Sequence, residues 1–460
     1  MTKDYKKNSA SFRDPSGFVF TSDGNVFRQV NQSYKENFDL LNSSGLLKKL
    51  TTENLLIKHT DSDLTPPQPD IAYKIIQPEK LDFISYPYEW SFSMLKDAAL
   101  TTLTIQKIAL EHGMSLKDAS AYNIQFANGK PIFIDTLSFE KYSEGSPWVA
   151  YKQFCQHFLA PLALMAYKDI RLNALLKEYI DGIPLDLTSK LLPVKTKFKF
   201  SLLTHIHLHA KSQTHYADKP VKHTSRKISK QALTGIVDSL TKAIHNLNLN
   251  RQSTEWGKYY ENTNYSEKSF LHKKELVKKF VSDTNPQSVF DLGANDGHFS
   301  RIASDNKRVV YACDIDPNAV EKNYVTCKSE NNRYITPLLL NLTNPSPAIG
   351  WANEERESFI KRANTDCLLA LALIHHLAIS NNLPFEKISD MFASLTSSYL
   401  IIEFVPKSDS QVQILLSSRE DIFTDYDLNT FELTFSNRFE ILKKEHINES
   451  DRILYLMKKK

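Results

Sequence analysis

The run Ser288-Val289-Phe290-Asp291-Leu292-Gly293-Ala294-Asn295-Asp296-Gly297-His298-Phe299 constrains the fold around it more than any other stretch of the chain. An apolar strand closes on an acidic residue, and two glycines then carry the backbone into a helix. Gly293 lets the backbone approach a ligand closely, and Gly297 frees the turn into the helix. The helix start offers unpaired N–H groups and the positive end of the peptide dipole, which suits a carboxylate. A second apolar strand, Val309 to Cys313, ends at Asp314, which falls 23 positions after Asp291.

From Lys273 onward, helical and strand patterns alternate, as in a parallel α/β sheet. The spacing predicts strands at 288–292, 309–313, 335–340, 368–373, 399–404, 439–446 and 452–457. Helices are expected at 273–281, 299–303, 318–327 and 384–395. The turn lacks the GxGxxG of a dinucleotide phosphate loop, since Asn295 stands where a middle glycine is frequent. An acid at the tip of the second strand can accept both hydroxyls of a ribose.

On these residues, 251–460 resembles the class I S-adenosylmethionine-dependent methyltransferases. The resemblance implies a Rossmann-like, mostly parallel seven-stranded sheet with S-adenosyl-L-methionine as cofactor. It places Asp291 near the methionine amino group, wraps Gly293, Ala294, Asn295 and Gly297 around the methionine moiety, and gives Asp314 the ribose. Asn341, after strand three, stands where the family contacts adenine. The alternatives are an NAD-binding Rossmann domain or an α/β fold that binds nothing. Asp316 reads as a cap on the helix opening at Pro317. Trp256-Gly257-Lys258-Tyr259-Tyr260, with Tyr265, forms either a lid over the cofactor or an amphipathic helix on the sheet.

Ligands of such a sheet sit beyond the carboxyl ends of its strands. Strand four leads into His375-His376, candidates for a general base or for orienting substrate, or else groups that hold the strand–helix turn. Glu403, at the end of strand five, either touches substrate or pairs with a basic neighbour. Asn344-Pro345-Ser346-Pro347 is similar to the NPPY-type motif of amino-methylating DNA enzymes. It follows strand three and not strand four, which argues against a base-flipping enzyme.

The first 210 residues read as an α+β domain. A hairpin is expected over 17–31 around Asp23-Gly24-Asn25, then a helical pattern to Leu47, strands at 71–77 and 81–86, and a long helix from Ser91 to His112. Residues 147–180 read as helical. Asp118, Asn123 and Asp135 are spaced like the catalytic loop and metal-binding Asp of protein-kinase-like and aminoglycoside-phosphotransferase-like folds, which they resemble. No Gly-rich phosphate loop, no His-Arg before Asp118 and no Gly after Asp135 accompany them, and the alternative makes Asp118 and Asn123 turn and cap residues. His205, His207 and His209 would share one face of a strand as a metal-binding row, the alternative being a polar strand or helix face. No carboxylate or Cys accompanies them, and no metal site is expected. Residues 211–250 read as a basic linker and a helix. Over its full length the chain is similar to bacterial two-part methyltransferases that include nodulation-associated proteins. Arg13-Asp14-Pro15-Ser16-Gly17, Ser85-Tyr86-Pro87-Tyr88-Glu89-Trp90 and Asp118 to Asn123 carry that likeness, which implies a glycan or other small-molecule acceptor.

Composition narrows the rest. Fifty-seven Lys and Arg against 53 Asp and Glu leave a net charge of +4 over 460 residues, too little to point to nucleic acid. The most apolar window, Phe158 to Tyr167, is half the length of a membrane span and contains Pro161. Four scattered cysteines and an N-terminus without an apolar leader fit a cytoplasmic protein with reduced thiols. The expected activity is methyl transfer to an O or N atom of a small molecule or saccharide, with the N-terminal half shaping the acceptor site. Its rivals are an RNA methyltransferase that uses the basic stretch 211–230 and a non-catalytic module that binds the cofactor and regulates a partner.

Overall fold

The computed structural model describes residues 5–211, 227–249, 266–417 and 420–460. The aromatic segment Trp256 to Tyr265 and most of the basic stretch 211–230 lie outside the described residues. The chain forms two units, Met1–Arg251 with Ala348–Arg356, and Gln252–Pro347 with Glu357–Lys460. The sequence gives no signal that residues 348–356 belong with the first unit.

In the first unit, β1 (Tyr5–Lys7), β2 (Gly17–Ser22), β3 (Asn25–Asn31), β4 (His59–Ser62) and β5 (Ala72–Pro78) form one antiparallel sheet in the order β1-β2-β3-β5-β4. The hairpin turns at Asp23 and Gly24, both at positive φ, as the turn chemistry requires. Alternation sends Phe18, Phe20, Phe27 and Ile75 into one cluster and Val30 and Ile76 into another with Tyr34, Phe38 and Leu137. β4 is polar, His-Thr-Asp-Ser, and lacks the apolar alternation that would reveal it in the sequence.

The strand expected at 81–86 does not form. Gln125 holds Ser85 through both backbone groups, accepting from its N–H at 2.9 Å and donating to its carbonyl at 2.9 Å. Glu89 accepts from the Tyr86 N–H at 2.9 Å, and Trp90 Nε1 donates to Ser85 Oγ at 2.8 Å. Side chains thus satisfy a backbone that would otherwise need a strand partner. The Ser91-capped helix Phe92–Glu111 follows and ends at Gly113 with φ +74°. β6 (Met114–Leu116) pairs with β9 (Phe139–Lys141), and β7 (Ile124–Ala127) with β8 (Lys130–Phe133).

The three histidines are helical, not on a strand, since His205 and His207 lie in the π-helical stretch Leu203–Leu208 and His209 is its C-terminal cap. His205 contacts Tyr151 Oη at 2.7 Å and Ser239 Oγ at 2.9 Å, while His207 contacts Ser189 Oγ at 2.7 Å and Thr196 Oγ1 at 2.9 Å. Hydroxyls thus meet the imidazoles of His205 and His207 on both ring nitrogens. The Arg13-to-Gly17 motif is a folding device: Asp14 accepts from the Ser16 N–H at 2.8 Å, and a Cβ on Gly17 would lie 2.1 Å from the Gln29 carbonyl oxygen.

The second unit holds β10 (Ser288–Leu292), β11 (Val309–Asp314), β12 (Ile335–Leu339), β13 (Thr365–Ala370), β14 (Thr396–Phe404), β15 (Phe439–His446) and β16 (Ile453–Lys459). Their order is β12-β11-β10-β13-β14-β16-β15, parallel except for β16, which runs antiparallel to both neighbours. Val289, Val310, Cys367, Leu369 and Ile401 share one core with Leu276, Val277 and Phe280 of the helix Glu267–Thr284. The fourth strand stops three residues before the expected end. Ala372 takes φ +50°, and its N–H donates to Glu403 at 2.8 Å instead of to a strand. All four cysteines are buried thiols. Among the described residues, no helix is long and apolar enough to cross a membrane, and no group of three or more His, Cys, Asp or Glu could hold a metal.

Candidate active site

Four parallel strands of the second unit, β10 to β13, end at one cavity of about 420 Å³. That size suits a nucleoside joined to an amino acid. Asp291 closes on it from β10 and Asp314 from β11, and Gly293, Ala294 and Asn295 of the glycine turn line it with them, whereas Gly297 shapes the turn without lining the cavity. The turn is pinned to the neighbouring strand, since the Gly293 and Ala294 N–H groups both donate to the Cys313 carbonyl, at 2.8 and 3.0 Å. Gly293 and Gly297 stand at φ +75° and +82°. A Cβ on Gly297 would lie 2.4 Å from the Asn323 side chain, so glycine is required there for space as well as for conformation.

The carboxylates are held differently. Asp291 is 2% exposed and accepts from Ser300 Oγ at 2.6 Å. Asp314 accepts from the Asn295 N–H at 2.7 Å and the Asp316 N–H at 2.8 Å. Burial pushes both up to about 6, and for Asp314 the backbone donors oppose it. Asp316 accepts from the Asn318 N–H at 2.9 Å, capping the helix Pro317–Ser329. Asn341 lines the cavity, but its carbonyl oxygen accepts from the N–H and Oγ1 of Thr343, at 2.9 and 2.7 Å. Its amide nitrogen is the group left to meet a ligand.

The structure separates the three candidates for chemistry. His376 lines the cavity, and burial lowers it to about 4. His375 is 1% exposed, does not line the cavity and is lowered well below the usual histidine range by burial. Glu403 is fully buried behind the wall, accepting from Lys273 Nζ at 2.6 Å and lying 3.5 Å from Arg452. It therefore pairs with basic neighbours and does not line the cavity.

Sequence reasoning missed Lys273, Phe270 and Leu415, which also line the cavity. A signal for Lys273 was available. Phe270, Lys273, Val277 and Phe280 fall at helical spacing on one stripe, so this lysine occupies a core position.

In the first unit, Asp118, Asn123 and Asp135 come together. Asn123 donates to Ser138 Oγ at 3.2 Å, and Ser138 donates to Asp135 at 2.6 Å. Burial raises Asp118, and the nearby Asp135 carboxylate adds to the shift. Arg28 of β3, which the sequence did not single out, makes a partly buried ion pair with Asp135.

A parallel sheet in this order, with an antiparallel strand in next-to-last place and a glycine turn between two strand-end carboxylates, defines the class I methyltransferase fold. No family model matches the chain. Nodulation protein NoeA of Rhizobium meliloti (strain 1021) is 35% identical over 457 residues, spanning 97% of this chain and 95% of that protein. The chain belongs to the family of that nodulation protein. Among solved structures, magnesium protoporphyrin IX methyltransferase from Synechocystis PCC 6803 with bound SAH is similar over 45% of this chain and 93% of its own, at 16% identity and a TM-score of 0.31. The N-methyltransferase NodS from Bradyrhizobium japonicum WM9 is similar over 42% of this chain and 98% of its own, at 9% identity and a TM-score of 0.33.

Proposed function

We propose that the second unit binds S-adenosyl-L-methionine and transfers its methyl group to an O or N atom of a small molecule or saccharide. The observation that carries the reading is the pair of buried strand-end carboxylates, Asp291 and Asp314, bracketing a glycine turn on one cavity. Both are oriented by hydrogen bonds and costly to keep ionised, as expected of groups kept for a ligand and not for stability. Asp291 suits an ammonium group, Asp314 a pair of ribose hydroxyls and the Asn341 amide an adenine edge. The small-molecule or glycan acceptor follows from the family resemblance and the near-balanced charge.

Bound there, S-adenosyl-L-methionine would supply a methyl group on a sulfonium, with a neutral thioether as the leaving group. The protein's share is alignment of the acceptor for in-line attack in a site walled by Phe270, Leu373 and Leu377. His376 is uncharged at pH 7, so its imidazole can accept a hydrogen bond from an acceptor N–H or O–H. A base lowered to about 4 removes little proton from a hydroxyl at neutral pH, so His376 orients more than it deprotonates.

Asp118, Asn123 and Asp135 support a kinase-like reading of the first unit as an accessory domain. Arg28 already neutralises Asp135, which weighs against phosphoryl transfer there. The test is incubation of the full chain with methyl-labelled S-adenosylmethionine and panels of saccharides and amines. Label transfer with release of S-adenosylhomocysteine supports the proposal. Tight cofactor binding without transfer to any acceptor would favour the regulatory module.

A further inference from the structure

Lys273 is the most unusual side chain around the cavity. Its helical neighbours Lys274, Lys278 and Lys279 turn away from the core, while Lys273 is 2% exposed on the stripe that packs against the sheet. A leucine there would pack without removing an ammonium from water, and a buried ion pair seldom stabilises more than well-packed apolar residues. A buried cation bordering a cavity therefore points to a ligand.

The surroundings say which kind. Lys273 Nζ lies 2.6 Å from Glu403 Oε2 and 4.8 Å from the Phe299 ring centre. Glu403 also lies 3.5 Å from Arg452, which donates to Asp409 at 2.7 and 3.1 Å. Lys273 and Arg452 together balance Glu403 and Asp409. Asp291 lies beyond that balanced set, on the same cavity and close enough to Lys273 that each shifts the other's titration. The cavity wall thus presents an ammonium and a carboxylate within electrostatic range of each other, complementary to an amino-acid zwitterion.

We propose that Lys273 receives the carboxylate of the cofactor's amino-acid end, opposite the ammonium taken by Asp291. The assignment rests on the cofactor reading above. Glu403 is then a positioning residue, holding the Lys273 ammonium and the Ala372 N–H that shapes the adjoining wall.

The test is calorimetry on the full chain with two probes, S-adenosylhomocysteine and its decarboxylated form, in which hydrogen replaces the carboxyl group. Wild type should prefer the first by roughly 10- to 100-fold, the range of a charge-assisted hydrogen bond. Lys273→Met should reduce that preference to about threefold or less by weakening the first probe alone, while Lys273→Arg retains most of it. The double variant Lys273→Met with Glu403→Gln removes the ion pair as a unit, and should fold and show the same flattened preference. Equal affinity of wild type for the two probes overturns the assignment, as does equal weakening of both by Lys273→Met. A Lys273→Met protein that keeps the preference but loses turnover would assign the ammonium to an anionic group on the acceptor, which also overturns it. Wild type that binds neither probe refutes the cofactor cavity itself, a different failure.

Discussion

Replacing Asp291 with Asn should make the second unit more stable and disable its cofactor site. In the fold the Asp291 carboxyl stands at about 6 because it is buried, against an ordinary 3.8. Each pKa unit is worth about 1.4 kcal/mol, so its ionisation costs folding about 3 kcal/mol at pH 7.5. Between about pH 4 and 6 the folded chain holds more protons at this carboxyl than the unfolded chain does. Its contribution to stability therefore falls as pH rises through that window and is least favourable above it. An asparagine keeps an oxygen for the Ser300 hydroxyl and carries no charge, so Asp291→Asn should recover about 1–3 kcal/mol at pH 7.5. At pH 4.5 the wild-type carboxyl is already protonated in the fold, and the recovery should shrink to about 1 kcal/mol or less. At about 2–4 °C per kcal/mol for a unit of this size, thermal unfolding at the two pH values resolves the difference. Calorimetry on the same protein should find S-adenosylhomocysteine bound roughly 10- to 100-fold more weakly. A variant that melts below wild type at pH 7.5, gains as much at pH 4.5, or binds the ligand unchanged would refute the reasoning.

Gly297→Ala combines φ +82° with a Cβ placed 2.4 Å from Asn323, and should cost about 1–3 kcal/mol in urea unfolding while weakening cofactor binding. Unchanged stability would mean that the turn relaxes freely. His376→Ala should lower kcat with little change in the KM for cofactor. His375→Ala, whose ring is buried away from the cavity, should act on melting temperature before it acts on kcat. The reverse pattern would exchange their roles. Glu403→Ala leaves Lys273 and Arg452 facing one lost counter-charge, and should cost about 3–5 kcal/mol by urea titration. A loss below about 1 kcal/mol would show the pair to be expendable.

The methyltransferase half was legible because its signals are local. An apolar run ending in an acid, a glycine turn and a second acid at strand spacing fix β10, β11 and the turn between them, and fully buried parallel strands read as continuous apolar runs. What failed depended on contacts distant in sequence. The fourth strand stops early because Glu403, 31 positions on, takes the Ala372 N–H. Residues 81–86 form no strand because Gln125 satisfies Ser85 from 40 positions away. β4 is polar and lies at the sheet edge, so no hydrophobic pattern marks it. His205, His207 and His209 alternate as a strand would, yet fold as a helix in which hydroxyls meet the imidazoles of His205 and His207. Glu403 and His375 sit at the expected strand ends, but burial behind the wall is not written in their spacing, and Lys273 hides among five other basic residues of its helix.

The most direct test of the central claim is a titration of S-adenosylhomocysteine into the full chain, wild type and Asp314→Ala, followed by calorimetry. One molecule should bind per chain of wild type, and the variant should lose roughly 10-fold or more in affinity, because its strand tip no longer offers acceptors to the ribose hydroxyls. No heat with wild type, or equal affinity in the variant, would contradict the assignment of this cavity to the cofactor.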